Sequence, residues 1–154
     1  MTASVDQGVK YWDMSTQPPS IGCSVNPSLN ARSVAISPNG ATIAYGTTNG
    51  TVFLVESGSC QLINQFDGHS GSVNSLSFNA KGDLLASGSS DNTVILWSLE
   101  PPINHTIFTE HQEPVRTVIF SPDSRLLLSG AEDGLLITYA LPADSEAVNS
   151  INCR

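Results

Sequence analysis

Basic side chains are scarce. The 154 residues carry 6 Lys and Arg against 14 Asp and Glu, a formal net charge of -8. Affinity for a phosphate backbone rests on Lys and Arg neutralising it, so direct nucleic-acid binding is not expected. Charged residues make up only 13% and hydrophobic ones 40%, a balance that suits a globular domain and not a disordered tail. No apolar run approaches the roughly 20 residues needed to cross a bilayer, and Met1 is followed by polar, acidic sequence instead of a basic stretch and an apolar core. Neither a membrane association nor a secretory leader is expected. The three cysteines, Cys23, Cys60 and Cys153, are odd in number and widely spaced, which fits neither a disulfide framework nor a C-x-x-C pair. A reducing, cytoplasmic setting is expected, with the nucleus compatible. The triplets Asn49-Gly50-Thr51 and Asn104-His105-Thr106 match the glycosylation pattern and, without a leader, are read as chance.

Catalytic signatures are missing too. There is no G-x-S-x-G elbow, no phosphate loop of the G-x-x-x-x-G-K-[ST] kind, no H-E-x-x-H and no calcium-loop pattern. His69, His105 and His111 are too irregularly placed for a metal site. The chain is expected to be no enzyme and to hold no metal or cofactor.

What is present is a repeat. Ala35-Ile36-Ser37-Pro38-Asn39-Gly40 lines up with Ser77-Phe78-Asn79-Ala80-Lys81-Gly82 and with Ile119-Phe120-Ser121-Pro122-Asp123-Ser124, at steps of 42 residues. Asn49-Gly50-Thr51-Val52 recurs at the same step as Asp91-Asn92-Thr93-Val94 and Asp133-Gly134-Leu135-Leu136, with an earlier copy at Asp6-Gln7-Gly8-Val9. Each unit closes on Trp12, Val55, Trp97 or Tyr139. Between these markers lie short runs with β-branched and aromatic residues, separated by turn residues, and no helical register competes. The 12 Gly and 9 Pro serve turns and edges. The fold class is all-β.

Four short strands in about 42 residues is the arithmetic of one propeller blade. The copy from Asp67-Gly68-His69 through Leu85-Ala86-Ser87-Gly88-Ser89 and Asp91-Asn92-Thr93-Val94 to Trp97 resembles a WD repeat, with its Gly-His, turn Asp and terminal Trp. The likeness covers about residues 2 to 141. It implies a partial propeller in which 2–25 end one blade and 30–66, 72–110 and 114–151 form three more, so that the chain opens inside a blade. Rings of this kind close with four to eight blades. An open arc exposes the apolar faces of its end blades, so the arc is expected to be a piece of a longer protein, to be completed by a second copy or a partner, or to stand alone.

His69, Ser87, Asp91 and Trp97 invite comparison with a hydrolytic triad. The resemblance implies a buried structural network instead, running from loop His to strand Ser, turn Asp and indole N–H. His111, Ser129, Asp133 and Tyr139 repeat it with a phenol for the indole. In the unit starting at residue 30 the matching positions are Pro27, Tyr45, Asn49 and Val55, which cannot form it, and a looser blade is expected there.

Function is then expected on the rim where several blades present loop side chains together. The family pattern places Asn30, Arg32 and Thr48 there in one blade, Ser72, Asn74 and Ser90 in the next, and Pro114, Arg116 and Glu132 in the third. Arg32 and Arg116 stand out in a chain with only 6 basic residues, because a guanidinium pairs with carboxylates and stacks on aromatic rings. These observations point to a non-catalytic scaffold that binds proteins or peptide segments through its rim. The alternative is a regulatory portion of a larger enzyme or signalling protein.

Overall fold

Extended runs dominate the computed structural model, which describes residues 2–4, 8–13, 17–25 and 30–142 and contains no helix among them. The first sheet holds β1 (Thr2–Ser4), β2 (Gly8–Asp13) and β3 (Ser20–Val25). The second holds β4 (Ala31–Ile36), β5 (Thr42–Thr47), β6 (Thr51–Glu56) and β7 (Leu62–Asp67). The third holds β8 (Val73–Phe78), β9 (Leu84–Ser89), β10 (Val94–Ser98) and β11 (His105–Phe108), and the fourth β12 (Val115–Phe120), β13 (Leu126–Ala131) and β14 (Leu136–Ala140). Every pairing is antiparallel between strands consecutive in sequence. The result is a partial propeller of four blades.

Turn chemistry fixes these meanders. Gly40, Gly82 and Ser124 occupy equivalent turns with φ of 72°, 81° and 59°, and Gly50, Asn92 and Gly134 do so in the next turn with 94°, 70° and 78°. Glycine and asparagine enter this left-handed region most readily, which explains why these residue types mark the repeat.

The inner strands β4, β8 and β12 neighbour one another, so apolar cores form between blades and not within them. Ala44, Val52, Leu54 and Phe66 of the second blade meet Val73, Leu76, Leu85, Ile95 and Trp97 of the third. The opposite face of that third blade presents Ala86, Val94 and Leu96 to Val118, Phe120, Leu127 and Tyr139 of the fourth. Adjacent residues such as Leu85 and Ala86 thus serve two different cores, as the two-residue period of a strand requires.

Approach between blades is close. A Cβ at Gly46 would lie 2.5 Å from Val73 Cγ1, and one at Gly88 2.7 Å from Val115 Cγ1. Hydrogen bonds cross the same seams: Ser33 Oγ donates to Val73 O at 2.8 Å, and Ser75 Oγ accepts from Val118 N at 3.1 Å. Among the described residues, the far face of the fourth blade is left open. Leu136 is 70% exposed there, whereas Val94, one repeat earlier, is fully buried.

One expectation is corrected. Cys60 is disulfide-bonded. An odd cysteine count rules out pairing of all three thiols but leaves one pair free to form, so counting alone could not exclude it. Cys153, Pro27 and residues 143–151 of the blade expected over 114–151 lie outside the described residues.

Candidate functional site

The third blade assembles its polar side chains in a single chain of hydrogen bonds. Trp97 Nε1 donates to Ser87 Oγ at 2.8 Å, and Ser87 Oγ lies 2.8 Å from His69 Nε2. His69 Nδ1 is 3.0 Å from Asp91 Oδ2. The carboxylate also accepts from Ser70 N, Thr93 N and Thr93 Oγ1. An ionised carboxylate only accepts, so Nδ1 carries the proton and Nε2 receives the serine hydroxyl. Every member is satisfied with a neutral imidazole.

Burial pushes the His69 pKa down, and the charge and hydrogen bond of Asp91 only partly offset it. At Asp91 burial acts upward, but the Thr93 hydroxyl, His69 and the two backbone N–H donors together hold the carboxyl below its usual range. Ser87 is fully buried and His69 nearly so. A nucleophile would need room for a reacting atom beside the serine oxygen. Here the indole and the imidazole fill that position, so the geometry fits a frame element.

In the fourth blade His111 Nδ1 lies 2.9 Å from Asp133 Oδ2 and His111 Nε2 lies 2.7 Å from Ser129 Oγ. Tyr139 departs from the pattern: its hydroxyl donates to Glu110 Oε2 at 3.3 Å and not to Ser129. The second blade solves the same problem differently. Tyr45 is buried and stacks on Phe53 with ring centroids 5.0 Å apart, while Thr47 Oγ1 donates to Thr51 O and Thr51 Oγ1 to Asp67. Aromatic packing and threonines stand where the imidazole network is missing.

The nine rim residues fall into two connected groups. Asn30 O accepts from Thr48 N at 3.0 Å, Thr48 O from Ser72 Oγ at 3.0 Å, and Ser72 O from Ser90 N at 2.9 Å. Asn74 Nδ2 donates to Ser90 Oγ at 3.0 Å and to Val115 O at 2.8 Å, and Arg32 Nε donates to Asn74 Oδ1 at 2.9 Å. Pro114 O accepts from Glu132 N at 3.0 Å, and Arg116 Nε donates to Glu132 Oε1 at 2.9 Å, with Nη2 on the same oxygen.

A backbone irregularity aims these side chains. The register slips between Ala31 and Ser33, between Val73 and Ser75, and between Val115 and Thr117. The residues skipped are Arg32, Asn74 and Arg116. A bulge leaves its extra residue out of the ladder and re-aims its side chain, and this one recurs at the same end of each inner strand.

At the opposite end of the strands lies a feature the repeat does not announce. Asn79, Ala80, Lys81, Asp83, Asp123, Ser124 and Arg125 surround a cleft of about 320 Å³ between the third and fourth blades. The only sequence signal is Ala80, which stands where the other copies have Pro38 and Pro122. Among the described residues no group of three or more His, Cys, Asp or Glu side chains is placed to hold a metal ion.

Comparison with known proteins agrees with this geometry. Residues 60–98 and 103–139 match the family model of the WD domain, G-beta repeat. Each matched segment begins near the outer strand of one blade and ends on the third strand of the next, so the repeat unit ties neighbouring sheets together covalently. No curated protein matches the chain.

Proposed function

The chain carries WD repeats, a family of generally non-catalytic protein-interaction modules, and from that premise we propose that it is a scaffold whose loop rim binds acidic or carboxyl-bearing peptide segments. The observation that carries this reading is the recurring bulge at Arg32, Asn74 and Arg116. Three side chains are turned out of the ladder at one end of three adjacent inner strands. Arg32 commits only its Nε to Asn74. A guanidinium has five N–H donors, so its remaining ones can take a carboxylate from a partner. Arg116 already holds the exposed carboxylate of Glu132, a built-in example of the same chemistry. A frame of paired antiparallel strands keeps the ordering cost of binding low.

Quantitative affinity purification of the chain and of its Arg32→Ala/Arg116→Ala variant, from the source cells, tests the reading. Loss of a defined set of co-purifying proteins at unchanged melting temperature is the expected result. An identical set from both chains would remove the rim from consideration.

Completion of the ring belongs to the same reading. Leu136 is exposed where Val94 is buried, which supports a further blade, from additional sequence or from a second copy, seated on the fourth one. Light scattering at micromolar concentration separates these sources: a dimer indicates the second copy.

A further inference from the structure

We infer that two copies of the chain close a single ring of eight blades, and that each gives the other its residues 148–152 as the inner strand that the first blade lacks. This rests on the completion of the ring proposed above and names the occupant, and the rim reading does not depend on it.

Every seam inside the chain joins two unlike halves. One is the forward face of a blade, such as Ala86, Val94 and Leu96 of the third, and the other is the backward face of the next, which includes Tyr139 in the fourth. Among the described residues a single chain leaves one half of each kind open. On the fourth blade the forward positions are Leu128, Leu136 and Thr138, of which Leu136 and Thr138 are exposed. On the first blade Trp12 holds the backward position and is only partly buried, whereas Val55, Trp97 and Tyr139 are buried against a preceding blade. Lys10 stands where Ile95 does, and its stem can cover apolar surface while the ammonium reaches water. Unlike halves on one molecule make a head-to-tail contact. Four sheets per copy close it after two copies at eight blades, within the four to eight that such rings hold.

The first sheet has a gap at the matching place. Its three strands correspond to the second, third and fourth strands of the other blades, so among the described residues no inner strand pairs with β1. In the other sheets β4, β8 and β12 fill that place. Their shared pattern is an apolar residue, a bulged rim residue, a hydroxyl and an aliphatic residue, as in Val73-Asn74-Ser75-Leu76 and Val115-Arg116-Thr117-Val118. The 42-residue step would put an outer strand near residue 148, yet Val148-Asn149-Ser150-Ile151 matches the inner one. Each member of the pattern has a task at a seam. Val73 and Val115 seat on Gly46 and Gly88 of the preceding blade, and the Ser33 and Ser75 hydroxyls bond to the backbone of the next. Gly130 offers the next seat, where a Cβ would meet only Thr117 of its own blade.

Chain length fits this handover. Sixteen residues separate Ser98 from Val115 and hold the outer strand β11, whereas seven separate Ala140 from Val148. Seven residues are too few for an outer strand with its two turns. Fully extended, the path from Ala140 to Val148 spans about 26–29 Å at about 3.3–3.6 Å per residue, more than the roughly 20 Å of a six-residue strand. β14 ends away from the rim, so the chain can return to the rim end within that length. Residues 148–152 then lie along the forward face of their own fourth blade, with Val148 over Gly130, and turn their free edge to β1 of the second copy.

The test is light scattering of the full chain across the micromolar range, beside a chain ending at Pro142, Val148→Asp and Asn149→Asp, with melting to check that each is folded. The native chain should be a dimer, and so should Asn149→Asp, whose position matches the bulged rim residues. The shortened chain and Val148→Asp should be monomers, because a charge in an apolar seam raises the apparent dissociation constant about tenfold or more. Val148→Asp carries the comparison if the shortened chain does not fold. Hydrogen exchange over residues 2–4 should slow on dimerisation of the native chain and stay fast in Val148→Asp. A dimer retained by folded Val148→Asp, or residues 2–4 exchanging equally fast in monomer and dimer, overturns the handover while leaving a second copy as the completion of the ring. Equal loss of the dimer in Asn149→Asp and Val148→Asp overturns the inner-strand register. A native chain that stays monomeric overturns the inference altogether and leaves the rim reading intact.

Discussion

Trp97 and Ser87 sit ten residues apart on paired strands and share a hydrogen bond of 2.8 Å that has no counterpart between Tyr139 and Ser129 in the next blade. Ser87 therefore joins two buried partners, the indole N–H and the imidazole, whereas among the described residues the Ser129 hydroxyl meets the imidazole of His111 alone. Removing a shared partner orphans both neighbours, and each orphaned buried group costs about 1–3 kcal/mol. Ser87→Ala is predicted to destabilise the chain more than Ser129→Ala in urea denaturation, and His69→Ala or Asp91→Ala to cost about 1–3 kcal/mol each. Equal effects of the two serine substitutions would show that the indole bond contributes nothing.

Stability should fall on mild acidification, with a determinable sign. The His69 pKa is depressed below 6.5 in the folded chain, so the unfolded chain binds the proton first as pH falls. Its contribution is full above about pH 6.5 and is lost progressively below it. Asp91, depressed from 3.8, adds a second loss of the same sign at lower pH. Urea midpoints measured from about pH 7.5 to about pH 5.5 should fall for the native chain and fall less for His69→Gln. A steeper fall in His69→Gln contradicts the assignment of a neutral, depressed imidazole.

Gly88 and Gly130 are equivalent by repeat but not by surroundings. A Cβ at Gly88 would lie 2.7 Å from Val115 and 3.0 Å from Val118, across the seam to the fourth blade. At Gly130 the nearest atom is Thr117 Cγ2 at 3.1 Å, within the same blade. Overpacking a close seam costs about 1–3 kcal/mol, so in the dilute, monomeric chain Gly88→Ala should lower the melting temperature clearly and Gly130→Ala only slightly. A strong effect at Gly130 at that dilution would mean that another blade covers that face in the monomer.

Much of this was legible in the sequence because it is periodic. A step of 42 residues predicts where β4, β8 and β12 begin, and the left-handed turns at Gly82 and Asn92 are visible as residue types. Arg32 and Arg116 could be placed on a rim by the repeat, yet the bulge that turns them there has no residue signature of its own. Tyr139 turning to Glu110 depends on a rotamer choice across neighbouring elements, which periodicity does not encode. The Cys60 disulfide and the cleft at Ala80 are departures from the repeat, and a departure reads as noise until its neighbours in space are known.

The division between a buried frame and bulged contact residues is tested most directly by hydrogen exchange of the chain with a captured partner bound. Slowed exchange should be concentrated at the starts of β4, β8 and β12 and in the facing turns at Thr48, Ser90 and Glu132, with the amides around Ser87 and Ser129 unchanged. Slowing confined to the outer strands β7 and β11, with the inner-strand ends unaffected, would contradict the account.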